Sequence, residues 1–230
     1  MTTIVTGYYG SGKTEFVLNL AMALARESGR RITIADLDVI NPFFRSRERE
    51  KALAPLGIEV MGSAIENHVL QDIPAISYAF LSRIRNGEDV IIDLAGGEAG
   101  LNLLASCYDA IGAYEFLCVF NMYRPETDTA QKMVDFCRSI NAVRQRTGNA
   151  DAVRRFPITG LVDNGNLLAY TEASHVLESQ ATVLQACKAL NLPLKYTLVQ
   201  EDIYKKIAPQ VASEKVLTFA KPQMRKDWQK

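Results

Sequence analysis

Short apolar runs alternate along the chain with longer amphipathic stretches, the pattern of βα units and a mostly parallel sheet. The runs predict strands at Thr3–Thr6, Arg31–Asp36, Ile58–Met61, Val90–Leu94, Phe116–Asn121, Ile158–Val162 and Leu194–Val199. Each is apolar at consecutive positions, as strands covered on both faces must be. Helical spacing fills the intervals. In Thr14–Ser28, Val17, Leu20, Ala21 and Leu24 share one face, and Gly29 is the stop signal. Further helices are predicted over Ile73–Arg85, Asn102–Ile111, Asp128–Arg146 and Thr171–Leu190. The polar stretch Arg144–Arg155, with Gly148 inside it, reads as a surface connection. No internal repeat or low-complexity segment divides the chain, so residues 1–230 are expected to form a single domain. The expected class is α/β, a mostly parallel sheet of about seven strands with helices on both faces.

Composition narrows the function classes. The chain has 26 basic and 26 acidic side chains and a net charge of zero, without the basic excess of a nucleic-acid binder. No apolar run approaches the roughly 20 residues that span a bilayer. Met1 to Thr6 runs straight into a glycine loop, which leaves no room for a signal peptide. Cys107, Cys118, Cys137 and Cys187 are widely spaced in a chain long enough to bury a core unaided, which suggests reduced thiols. The expectation is a cytoplasmic protein with neither nucleic acid nor membrane as partner.

The strongest chemical signal is Gly7-Tyr8-Tyr9-Gly10-Ser11-Gly12-Lys13-Thr14, a full match to G-x-x-x-x-G-K-[ST]. Glycines let successive backbone N–H groups turn inward around phosphate oxygens. Lys13 would reach the β- and γ-phosphates, and the Thr14 hydroxyl would bind Mg²⁺. A strand runs in and a helix runs out, so the helix N-terminus faces the same anion. Gly7, Gly10, Ser11, Gly12, Lys13 and Thr14 are therefore assigned to nucleotide binding, in a P-loop NTPase fold. A dinucleotide fingerprint using Gly10, Gly12 and Asp36 fails, because Glu15 stands where a third small residue is needed.

Two further signals follow in order. Ile34-Ala35-Asp36-Leu37-Asp38-Val39-Ile40-Asn41-Pro42 ends the second strand with carboxylates two residues apart, at the sheet edge where α/β ligands sit. One of them would lie near Mg²⁺ while the other orients an attacking water. The competing reading is an aspartate that caps the turn before Pro42. Val90-Ile91-Ile92-Asp93-Leu94-Ala95-Gly96-Gly97 has the form of a Walker B strand. It places Asp93 near the metal, with Gly96 and Gly97 as N–H donors to a γ-phosphate.

GYYGSGKT, IADLDVINP and IIDLAGG together resemble the ATP-binding domain family of MinD, ParA and the CobQ/CobB proteins, over most of the chain. The resemblance implies ATP or ADP with Mg²⁺, held by Thr14, Asp36 and Asp93. It makes Lys13 and Asp38 the catalytic pair, Asp38 being the carboxylate near the attacking water. It also implies that Asn164 contacts adenine, in keeping with the absence of a guanine-type N-K-x-D run. One departure bears on assembly. Relatives of the MinD and ParA kind carry a second lysine one position after the first loop glycine, and Tyr8 stands there. A lysine-bridged ATP dimer is therefore not expected, and a homodimer of another kind stays open. No C-x-C or C-x-x-C is present, so no interfacial metal cluster is expected either.

Arg45, Arg47 and Arg49 read either as a solvated helix face or as a clamp on phosphate. His68 and His175 are isolated and read as structural. Three functions remain in view. The first is a slow ATPase that acts as a switch on a client protein. The second is a small-molecule enzyme like dethiobiotin synthetase or the CobQ/CobB amidases. The third is a nucleotide-gated binding module with negligible turnover.

Overall fold

The computed structural model describes residues 1–38, 49–62, 79–105, 107–142, 145–146, 153–154 and 156–224. In chain order these form β1 (Thr2–Gly7), α1 (Lys13–Ser28), β2 (Ile32–Leu37), α2 (Glu50–Leu53), β3 (Ile58–Gly62), α3 (Ala79–Arg85) and β4 (Asp89–Leu94). They continue with α4 (Glu98–Ala105), β5 (Tyr114–Phe120), α5 (Ala130–Ala142), β6 (Gln145–Arg146), β7 (Val153–Arg154) and β8 (Gly160–Asp163). The last are α6 (Ala173–Leu190), β9 (Leu194–Gln200), α7 (Glu201–Ile207) and β10 (Lys215–Phe219).

Eight strands make one sheet in the order β10-β9-β8-β5-β1-β4-β2-β3, and every neighbouring pair is parallel. The chain leaves β1 toward β2 and β3 on one side, then crosses to β5, β8, β9 and β10 on the other. This reversal opens a crevice at the carboxyl ends of the central strands. Alternation along the central strands feeds two cores. Val5, Ile91 and Leu117 point to the α1 face, where Phe16, Val17 and Leu20 cover them. Ile4, Val90, Ile92, Phe116 and Cys118 point to the opposite face, under Leu101 and Leu104 of α4, Met133 and Cys137 of α5, and Val183 of α6.

The seven expected strands are present, and the sheet has an eighth. β10 carries no strand signal because only Leu217 of its five residues is buried; an edge strand lacks the apolar run of a covered one. α4 begins four residues before the expected Asn102. Gly100 lowers helix propensity there, but a Cβ at that position would collide with the Ala95 carbonyl, so close packing requires the glycine. α5 ends at Ala142, and the polar stretch that follows holds the antiparallel ribbon β6–β7. The first part of the helix expected over Ile73–Arg85 lies outside the described residues, and its last seven residues form α3.

Candidate functional site

The sequence motifs converge where strands end. β1 delivers the chain into the glycine loop at Gly7, and α1 takes it out at Lys13. Gly10 and Gly12 have φ of +76° and +85°, the left-handed region that an L side chain enters only with strain. The loop is tightened by the Ser11 N–H donating to the Tyr8 carbonyl at 3.1 Å. Gly12 caps α1, and its carbonyl accepts from the Phe16 N–H at 2.9 Å.

Lys13, Thr14, Asp36, Asp38 and Asp93 are all buried around this loop. The Lys13 ammonium lies 3.6 Å from Asp38 Oδ2. Thr14 donates its hydroxyl to Asp93 Oδ2 at 2.8 Å. Parallel register sets Asp36 directly beside Asp93 on the adjacent strand. Burial, and then Asp36, push the Asp93 carboxyl up to about 8, while Lys13 and the Thr14 hydroxyl pull the other way. Asp93 Oδ1 is buried without a hydrogen-bond partner among the described residues, as is the hydroxyl of Ser11.

These oxygens suit Mg²⁺. Thr14 and Asp93 offer hard oxygen donors held in contact, and the second Asp93 oxygen has no partner among the described residues. Among the described residues no three His, Cys, Asp or Glu side chains form a cage of their own. A cation that takes its other ligands from phosphate and water needs no such cage. Gly96 abuts the loop, since a Cβ there would run into the Gly7 carbonyl, and Gly97 follows at φ +82°.

Asn164, just past β8, lies against the loop and lines the pocket beside it. Its Nδ2 donates to the Ser11 carbonyl at 2.8 Å, and its Oδ1 accepts from Asn166 Nδ2 at 3.1 Å. Among the described residues the amide's second N–H and second lone pair have no partner. Beside the loop opens a cavity of about 550 Å³. Lys13, Asn164, Leu168, Leu198, Phe219 and Met224 are among the residues that line it.

Three residues of this site carry no sequence signal of their own. Glu15 accepts from the backbone N–H groups of Gln223 and Met224 at 2.8 and 2.9 Å, which ties the segment after β10 to the first turn of α1. Asn121, at the end of β5, ties two loops together through Asn166 and Tyr123. Arg124 donates its Nε to the Gly10 carbonyl at 3.1 Å. The available signal for Asn121 and Arg124 was their place just past a strand's carboxyl end.

Other candidates fall elsewhere. Arg45, Arg47 and His68 lie outside the described residues, as do Val39 to Pro42 of the second motif. His175 accepts the Glu172 N–H in the capping box of α6. Tyr8 sets its ring edge-on against Phe136 at 5.8 Å. All four cysteines are buried free thiols. Among the described residues no helix is long and apolar enough to cross a membrane.

Comparison with known proteins bears on the fold. No family model and no curated protein sequence matches the chain. It is similar to the solved structure of cell division protein FtsY from Thermotoga maritima, with TM-score 0.52 and 20% identity, over 86% of this chain and 60% of that one. The chloroplast FtsY of Physcomitrella patens gives TM-score 0.53 at 17% identity, over 85% and 57% of the two chains. FtsY of Mycoplasma mycoides gives 0.53 at 15%, over 84% and 58%. The chain thus spans less than two thirds of the length of these structures. It is a single α/β domain with an eight-stranded parallel sheet and helices, and it shares the P-loop NTPase fold.

Proposed function

We propose that this protein binds ATP with Mg²⁺, hydrolyses it slowly, and works as a nucleotide switch on a partner protein. The observation that carries the reading is the Thr14 hydroxyl held on Asp93 beneath the glycine loop, with a second Asp93 oxygen buried and unpartnered among the described residues. Mg²⁺ bound there would neutralise charge between the terminal phosphates. Thr14 and Asp93 would hold the ion, with Asp36 beside them to hold its waters. The loop amides would cradle the phosphates and Lys13 would exchange its Asp38 contact for a phosphate oxygen. Asp38 would then face the terminal phosphate and orient an attacking water.

Adenine is the base proposed, on the strength of Asn164 and the missing guanine motif. The likeness of the motifs to MinD, ParA and CobQ/CobB proteins supports the switch reading. Tyr8 supports an assembly that does not rely on a lysine from a facing subunit. A client protein would then be what accelerates hydrolysis, and the cytoplasm the compartment.

Calorimetry tests the reading: wild-type protein should bind ATP more tightly with Mg²⁺ than with a chelator, and more tightly than GTP. Lys13→Ala should weaken ATP far more than adenosine. Unchanged ATP affinity in Lys13→Ala would refute the site, and equal ATP and GTP affinities would remove Asn164 from base recognition.

A further inference from the structure

Among the described residues the proposed phosphate site has one buried cation, Lys13, and that ammonium already faces Asp38. The position where the motif's relatives carry a second lysine holds Tyr8, which turns its ring to Phe136. Among the described residues lining the cavity, the only other lysine or arginine is Arg124.

Arg124 stands on a turn built to hold it still. Its own N–H donates to the Asn121 carbonyl at 3.2 Å, and its carbonyl accepts from the Thr127 N–H at 2.9 Å. The buried Thr127 hydroxyl donates to the same Asn121 carbonyl at 2.8 Å, and the Asn121 amide bonds across to the loop after β8 at 3.0 Å. From this base the side chain reaches the glycine loop. Nε donates to the Gly10 carbonyl, and a Cβ at Gly10 would lie 3.3 Å from Nε and 3.6 Å from Cζ. Gly10 leaves the room that the guanidinium occupies. Only Nε is engaged among the described residues, so the four N–H donors of the two terminal nitrogens remain for a ligand.

We infer that Arg124 is a second phosphate-binding cation, supplied by the same chain from the β5–α5 turn, for the phosphate chain of a nucleoside di- or triphosphate. Nε anchors the guanidinium on the loop, and the terminal nitrogens give two parallel donors to phosphate oxygens. A rigid backbone and an anchored Nε reduce the side-chain freedom lost on binding. The inference rests on the nucleotide reading above, and the two can fail separately.

The test is titration of the full chain with the AMP, ADP, ATP series and its guanine counterpart in Mg²⁺, at low and high salt, for wild type, Arg124→Ala, Arg124→Lys and Lys13→Ala. Nucleotide-free melting curves of the Arg124 variants should match wild type, since the side chain is exposed. Arg124→Ala should lose roughly tenfold or more in triphosphate affinity, as for a charge-assisted hydrogen bond, less for the diphosphate, and under about twofold for the monophosphate. Its triphosphate affinity should also depend less on salt. Arg124→Lys should recover part of the loss, because it keeps the charge and forfeits the planar pair of donors. A loss that is absent, or equal for all three phosphate lengths, would overturn the inference and leave Arg124 as a brace on Gly10. Were Lys13→Ala to abolish binding while Arg124→Ala changed nothing, the nucleotide site would stand and this inference alone would fall. No binding by wild type would overturn both.

Discussion

Replacing Asp93 by asparagine separates what the site contributes to binding from what it costs the fold. Asp93 is wholly buried at the end of β4, and its carboxyl is pushed from 3.8 up to about 8, mainly by burial and then by Asp36. The unfolded chain releases this proton near the ordinary value, whereas the nucleotide-free native state keeps it until about 8. Between those values the unfolded state binds fewer protons, so native stability falls as pH rises. Between about pH 5 and pH 8 the ceiling on that fall is about 4 kcal/mol, from 1.36 kcal/mol per pH unit over the range in which only the native state is protonated. Local relaxation and water entry reduce it, so a change of about 1–2 kcal/mol is expected, roughly 3–6 °C in melting temperature for a chain this size. In Asp93→Asn the amide oxygen could still accept the Thr14 hydroxyl, and the side chain would carry no charge to desolvate.

The assay is thermal melting of both proteins without nucleotide across this pH range. The melting temperature of Asp93→Asn minus that of wild type should grow more positive toward high pH. Stabilisation should come with loss of the Mg²⁺-dependent part of nucleotide affinity, the trade expected where a strained charge serves binding. A difference that is flat with pH, or that falls, would refute the raised Asp93 and with it the account of the metal corner.

Three more outcomes follow from the same geometry. Asn164→Leu strands the buried Ser11 carbonyl and should destabilise the nucleotide-free protein by about 1–3 kcal/mol in urea titration; wild-type stability would mean that the contact is not formed. Gly12→Ala should cost more than about 1 kcal/mol, because φ is +85° and the new Cβ would meet the Asn164 amide, with nucleotide binding impaired alongside. Glu15→Ala removes the acceptor of the Gln223 and Met224 N–H groups and should open that segment, seen as faster amide exchange at both residues and a loss of about 1–2 kcal/mol; unchanged exchange would contradict the clamp.

The parts of this protein that a reader of the sequence can find are those built within one short segment. A glycine loop between strand and helix makes its turn, its cap and its donors from eight consecutive residues, so Gly7 to Thr14 is legible without a fold. The places of Asp36 and Asp93 were legible because each closes an apolar run, with Asp38 two residues beyond Asp36, and a buried parallel strand can present a carboxylate to a ligand only at its end. The strand order was not legible. Parallel pairing runs through crossovers, and no local pattern states that β4 lies between β1 and β2, which is what brings Asp93 to Thr14 and Asp36. The edge strand β10 was hidden because exposure on one side erases the apolar run. Arg124 and Glu15 were hidden more deeply, since their partners are 114 and about 208 residues away and their side chains carry no motif. Asn164 lies between the two cases. The resemblance singled out its amide, but its bond to the Ser11 carbonyl appears only when β8 comes to rest beside β5 and the crevice closes on the loop.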